Sequence, residues 1–335
     1  MASTSYTMTT HRSPSLLRIR GLTVNYGDPA PPALQQVNLD ISRGETVGIL
    51  GESGSGKSTL ALSVLGLLPK KAQVEGSICL EGQDLLQADE SGLAAVRGDK
   101  IAMIFQEPSL SLSPVMRVGD QIAEVIRAHR KATREQQKQA VEAALREIGF
   151  SDVDRIYRAY PHQLSGGELH RVAIAQALVC RPNLVIADEA TRSLDATLQT
   201  EVLHALRDSQ GKLGSALIFI THNPALLAGF ADRVVVMYAG RIVEEAAVTA
   251  FFRKPLHPYS KGLLQLIPSA LPYSGFVRQE RLPAIPGSLT VSDHWTHGCA
   301  FEPRCFARTD SCRKESPEQT EIEGTRRVSC FNYGN

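Results

Sequence analysis

The sequence predicts an α/β fold with a largely parallel core sheet. Short, continuous apolar runs rich in β-branched residues recur along the chain, as in strands buried on both faces. Helical patterns with capping signals lie between them, which is the alternation that builds a parallel sheet. An early stretch instead alternates apolar and polar residues and reads as antiparallel β.

In chain order, LLRIRGLTVNYG (16–27) and ALQQVNLDI (33–41) form the antiparallel part. TVGIL (46–50), KIAMIF (100–105), LVIAD (184–188), ALIFIT (216–221) and RVVVMYAG (233–240) are the expected buried strands. Thr133 and Gln136 make a capping-box pattern ahead of a helix running to about Gly149, and a second helix fits Ala196 to about Lys212. After about residue 250 the texture changes to FFRKPLHPYSKGLLQLIPSALP, then a proline-rich stretch and a group of cysteines. A boundary is expected near 250–270.

Composition limits the function classes. A chain of 335 residues is long enough for one large domain plus an accessory piece, or for two ordinary domains. A formal charge of +1 gives no footprint for nucleic acid, which needs clustered positive charge. No apolar run approaches the roughly 20 residues that cross a bilayer. The first 13 or so residues are polar, read as a disordered leader, and lack the apolar core of a signal peptide. The expected compartment is the cytoplasm, where disulfides are rare.

GESGSGKST (51–59) follows the strand TVGIL and precedes the helical run LALSVLGLL. This is the Walker A pattern in its confirming context. Gly51, Gly54 and Gly56 allow the tight turn, so that the amides of Glu52, Ser53, Ser55 and their neighbours face phosphate oxygens at a helix N-terminus. Lys57 is expected on the β- and γ-phosphates, Ser58 on Mg²⁺, with Thr59 beside it. LVIADEA (184–190) puts Asp188 at the carboxyl end of a buried strand, suited to Mg²⁺, and Glu189 where it could polarise an attacking water. LSGGE (164–168) places Ser165, Gly166 and Gly167 ahead of a helix over roughly Glu168 to Val179, a second backbone cradle for phosphate.

With these three motifs in order, the sequence resembles the ATP-binding subunit of an ABC transporter. The resemblance implies an ABC-type P-loop ATPase core: a parallel sheet flanked by helices, an antiparallel β subdomain and a helical signature subdomain, at about 107–180. That core spans 14–255, and a C-terminal extension spans 256–335. It also implies roles: Tyr26 stacking on adenine, Gln106 sensing Mg²⁺ and γ-phosphate, Asp195 in the D-loop SLDA, and His222 in FITHN as the switch histidine. In the family, two subunits pair head to tail, and the signature of one closes over the Walker A of the other. Two departures stand out: DEATRSLD carries Ala190 and Arg192 where DEPT is usual, and the signature continues with Glu168 and His170.

Other ABC-type readings fit less well. A chromosome-maintenance ATPase would carry a long coiled coil between Lys57 and Ser165, where only about 107 residues lie. A translation factor would carry two cassettes, and a kinase or small GTPase would lack LSGG. The insert PSLSLSPVMRVGDQIAEVIRAHR (108–130), then LHPYSKGLLQLIPS (256–269), LPAIPG (282–287) and GCAFEPRC (298–305), resemble oligopeptide, dipeptide and nickel importer ATPases. That branch implies import of peptides or a related ligand such as a metal chelate. Its partners are a second ATP-binding subunit, two permease subunits and an extracytoplasmic substrate-binding protein, at the cytoplasmic face of the membrane.

Four cysteines, Cys299, Cys305, Cys312 and Cys330, gather in the tail. Their number suits Zn²⁺ or a [4Fe–4S] cluster, and structural thiols or disulfides stay open. The resemblance orders these readings: related importer ATPases carry a [4Fe–4S] cluster here, with Zn²⁺ as the alternative. His297 reads as a surface histidine rather than a ligand. Cys79 and Cys180 read as small core residues.

Overall fold

The computed structural model describes residues 15–27, 31–107, 111–192, 194–267, 285–289, 297–323 and 326–333. The expected leader at 1–13, Ser193 of the D-loop, part of the 108–130 insert and the first half of LPAIPG lie outside these residues.

All five expected core strands form, as β3 (Thr46–Leu50), β6 (Ile101–Ile104), β7 (Leu184–Asp188), β8 (Ala216–Thr221) and β9 (Arg233–Tyr238). They pair in parallel in the order β9-β3-β8-β7-β6. Each is short and apolar because both faces are covered. Val234 and Val236 pack into one hydrophobic cluster, and Val235 and Met237 into the other. Burying one such side chain contributes about 1.5–3 kcal/mol, so the sheet is the main source of stability.

The alternating N-terminal stretch forms β1 (Ser15–Asn25) and β2 (Leu34–Ser42), which join β4 (Gln73–Leu80) and β5 (Gln83–Asp84) in an antiparallel sheet. The helical part carries α3 (Val118–His129), α4 (Arg134–Glu147) and α6 (Gly166–Leu178). Thr133 and Gln136 close the expected capping box on α4. The helix after the D-loop, α7 (Ala196–Leu213), is capped by Asp195, whose carboxylate accepts the amides of Thr197 and Leu198 at 3.0 Å. Among the described residues no helix is long and apolar enough to cross a membrane.

The segment after residue 250 continues the cassette. Strand β10 (Arg241–Ala247) pairs antiparallel with β9, and a terminal hairpin, β11 (Thr320–Glu323) and β12 (Arg326–Val328), adds to its free edge. The HPY helix α9 (Pro258–Gln265) buries Tyr259 and Leu263 in the same cluster as Val234. Glu244 of β10 is 0% exposed. It accepts the amides of Leu256 and His257 at 2.9 Å each and pairs with Arg326 at 3.3 Å. His257 caps α9, its Nδ1 accepting the Tyr259 amide, and burial holds its imidazole neutral with a pKa of about 3.

One core assignment needs correction. Cys180 is buried, but Cys79 is only half-buried, because it lies between inward-facing Ile78 and Leu80 on β4 and so faces the other side of the strand.

Candidate nucleotide site and the tail thiols

The loop 51–56 joins the end of β3 to helix α1 (Lys57–Val64). Gly56 sits at φ +101°, and a Cβ there would stand 2.8 Å from the Ala33 carbonyl, so both its conformation and its surroundings demand glycine. Lys57 is 5% exposed. Its Nζ donates to the carbonyls of Gly51 (2.9 Å) and Glu52 (2.8 Å) and to Ser55 Oγ (3.3 Å). Burial lowers the Lys57 pKa, against the opposing pull of Glu189, Asp188 and Glu52.

A cleft of about 310 Å³ opens over this loop, lined among others by Ser53, Gly54, Lys57, Ser58, Gln106, Glu189 and Arg192. Parallel pairing of β3, β8 and β7 puts their carboxyl ends at one edge, where such a cleft belongs. Asp188, at the end of β7, is 8% exposed and hydrogen-bonds to Ser58. Burial raises the Asp188 carboxyl above the ordinary carboxylate range. The hydroxyl of Ser58, the carboxylate of Asp188 and the amide oxygen of Gln106 are hard donors, a set that fits Mg²⁺.

Glu189 follows in the left-handed region at φ +47°, a strained conformation for a side-chain residue. His222 Nδ1 stands 3.3 Å from its Oε1, and Arg192 Nη1 lies 3.1 Å from its Oε2. The structure thus joins Lys57, Ser58, Gln106, Asp188, Glu189 and His222 in one site. Tyr26 stands at its side, with its hydroxyl 3.2 Å from Thr59 Oγ1 and its ring 40% exposed.

Ser165, Gly166 and Gly167 do not line the cleft, and neither does Asp195. They cap separate helices. Ser165 and Glu168 form a capping box on α6, and Glu168 also pairs with Arg155, so the Glu168 departure has a structural explanation. His170 is buried, with Nδ1 2.9 Å from the Gly166 carbonyl. The two glycines differ. A Cβ on Gly167 would stand 2.8 Å from Leu198 of α7, whereas one on Gly166 would meet nothing within 4 Å.

Three contacts were not legible as site features. Arg192 engages Glu189, although the sequence shows it only as a departure from DEPT. Tyr259 Oη accepts the Glu52 amide at 2.9 Å, and Arg304 pairs with the Glu52 carboxylate. The last two join residues more than 200 positions apart in sequence.

The tail thiols are gathered without forming a metal-ion site. Cys305, Cys312 and Cys330 all lie within electrostatic reach of Cys299. Three thiols accept the amide two residues ahead: Phe301 to Cys299, Ala307 to Cys305, and Asn332 to Cys330 at 3.3 Å. All are free thiols, so the disulfide alternative is not realised. Among the described residues no group of three or more His, Cys, Asp or Glu side chains stands together as a metal-ion site. Burial pushes Cys299 up to about 11.

Residues 34–192 match the family described as ABC transporter, and residues 243–312 match the oligopeptide/dipeptide transporter C-terminal region. The oligopeptide transport ATP-binding protein AppD of Bacillus subtilis is 42% identical, covering 90% of this chain and 91% of its own. The chain belongs to this family. It is an ABC-type ATPase of the oligopeptide/dipeptide branch. The dipeptide transport ATP-binding protein DppD of Escherichia coli is 39% identical over 94% of this chain and 96% of its own. Among solved structures, the dimeric ABC cassette MJ0796 superposes with a TM-score of 0.61 at 28% identity, covering 69% of this chain and 98% of that one. A post-hydrolysis dimer of the same cassette with ADP and phosphate matches equally.

Both oxygens of Glu189 are engaged, and the Arg192 partner is 54% exposed and therefore weakly held. Arg192→Thr should free one oxygen and raise kcat for ATP by roughly two- to fivefold, with KM little changed. Steady-state ATPase assays check this. A fall in kcat would instead show that Arg192 assists hydrolysis.

Proposed function

We propose that this chain is the nucleotide-binding subunit of a peptide importer and that its ATP hydrolysis powers substrate entry. The assembly of Walker A, Asp188, Glu189 and His222 around one cleft carries the ATPase reading, and the peptide branch rests on the 243–312 match and on the relatives AppD and DppD.

In this reading the loop amides and Lys57 hold the β- and γ-phosphates, and Tyr26 supports the adenine. Ser58, Asp188 and Gln106 would hold Mg²⁺, which neutralises charge developing on the phosphates when bound. Glu189 orients the attacking water, and His222 fixes the Glu189 carboxylate at one oxygen. The signature of a second subunit completes the site. Gly166 supports this: among the described residues nothing stands within 4 Å of a Cβ built there, and its bare backbone leaves room for a nucleotide held by a partner. The Asp195 cap lies at the start of the helix packed behind that signature, through Leu198.

Two permease subunits and a substrate-binding protein complete the importer. A groove of about 280 Å³ beside the Gln106 loop supports permease docking. It is lined by Leu67, Arg97, Met103, Phe105 and Ser111, with Leu67 and Phe105 exposed at 42% and 43%. The working location is the cytoplasmic face of the membrane.

The finer reading of the tail is a [4Fe–4S] cluster held by Cys299, Cys305, Cys312 and Cys330, ahead of Zn²⁺. The amide donors to three of the thiols favour thiolates, and a cluster spaces its ligands more widely than a single ion does. Its role would be to fasten the extension. Anaerobic purification should give a brown protein with about four irons per chain. A colourless protein containing zinc, or one with no metal, overturns this assignment.

Glu189→Gln should bind ATP, accumulate a closed dimer detectable by size-exclusion chromatography, and lose hydrolysis by at least about a hundredfold. Wild-type turnover in this variant would remove Glu189 from the role given to it.

A further inference from the structure

Glu52, in the second position of Walker A, is an anion inside a loop that must receive a polyphosphate. Its charge reaches the centre of the cradle, because it is one of the carboxylates acting on Lys57. Unbalanced, it would oppose an incoming triphosphate.

The extension supplies the balance. Arg304, between Cys299 and Cys305 in sequence, grips Glu52 in a two-pronged ion pair: Nη1 to Oε2 at 3.0 Å and Nη2 to Oε1 at 3.1 Å. The Arg304 side chain is 8% exposed and is itself fixed on every side. Its Nε donates to the Pro286 carbonyl at 2.7 Å, Nη2 to Gly287 O at 3.3 Å, and Nη1 to the Tyr238 hydroxyl at 3.3 Å. Burial works against the guanidinium charge, but the bonds to Glu52 and Tyr238 outweigh it and hold the pKa above the ordinary arginine value. Phe301 packs against both Tyr238 and Tyr259, at ring distances of 5.2 and 5.3 Å, and Tyr259 holds the Glu52 amide. Both the side chain and the backbone of Glu52 are therefore held by residues outside the Walker A loop.

We propose that Arg304 is a positioning residue for nucleotide binding, cancelling the Glu52 charge so that the cysteine-bearing extension completes an electrostatically competent Walker A cradle. The inference builds on the nucleotide-site reading above. It also makes the order of the loop around Cys305 a determinant of ATP affinity, because Arg304 adjoins that cysteine.

The test compares Arg304→Ala, Glu52→Gln and the double variant in the full-length chain, by titrating a fluorescent ATP analogue with Mg²⁺ at fixed ionic strength and recording thermal melts alongside. Arg304→Ala should weaken binding roughly tenfold, Glu52→Gln should stay within about twofold, and the double variant should recover to within about threefold of wild type. A structural latch predicts the reverse pattern: each single variant and the double variant would be equally impaired, and that result overturns the proposal. Wild-type affinity in Arg304→Ala also overturns it. If Arg304→Ala does not fold, Arg304→Lys keeps the charge without the fork and should retain affinity within about threefold, whereas a tenfold loss there would refute charge cancellation. Lys57→Ala separates the two levels: binding unchanged in that variant would defeat the nucleotide-site reading itself, not the role of Arg304.

Discussion

A carboxylate with no access to water must be surrounded by donors, and much of this chain's organisation follows from how Glu244 meets that demand. The amides of Leu256 and His257 and the guanidinium of Arg326 converge on it. Those partners come from the start of the HPY helix and from the terminal hairpin. One buried charge therefore fixes the entry and the exit of the extension on the edge of the cassette sheet. From there the contacts run through His257 and Tyr259 to the Glu52 amide. The extension and the Walker A loop are parts of a single packed body.

The nucleotide site shows the same economy of charge. Lys57, Asp188 and Glu189 meet at the cleft, and burial disfavours the charged forms of Lys57 and Asp188. A donor or an opposite charge stands beside each carboxylate of the site: Ser58 on Asp188, His222 and Arg192 on Glu189, Arg304 on Glu52. A bound Mg²⁺–nucleotide enters an arrangement already balanced around its phosphates. Ser165, Gly166 and Gly167 do not line this cleft, and in the proposed reading they complete the site of a second subunit.

Much of this was legible in the sequence because it is local or strictly periodic. The five core strands announce themselves as continuous apolar runs, Thr133 and Gln136 as a capping box three residues apart, and Walker A as a fixed spacing between strand and helix. Cys79 was misplaced as a core residue although its neighbours Ile78 and Leu80 already carried the two-residue alternation that turns it outward. The contacts of Arg192, Tyr259 and Arg304 were not legible, for a different reason. Arg192 lies only three residues from Glu189 but showed only as a departure from DEPT, while contacts of Tyr259 and Arg304 with Glu52, more than 200 positions away, have no local signature. The four thiols were readable as a group, but their number does not determine how closely neutral thiols approach.

Glu244 couples the extension to Walker A mechanically, and hydrogen–deuterium exchange on Glu244→Gln tests that coupling. The substitution keeps the side-chain shape and removes the charge that orders Leu256, His257 and Arg326. The account predicts faster amide exchange both at 256–267 and in the loop 51–56, with the strands β7 and β8 unaffected. Faster exchange at 256–267 with the Walker A loop unchanged would contradict it.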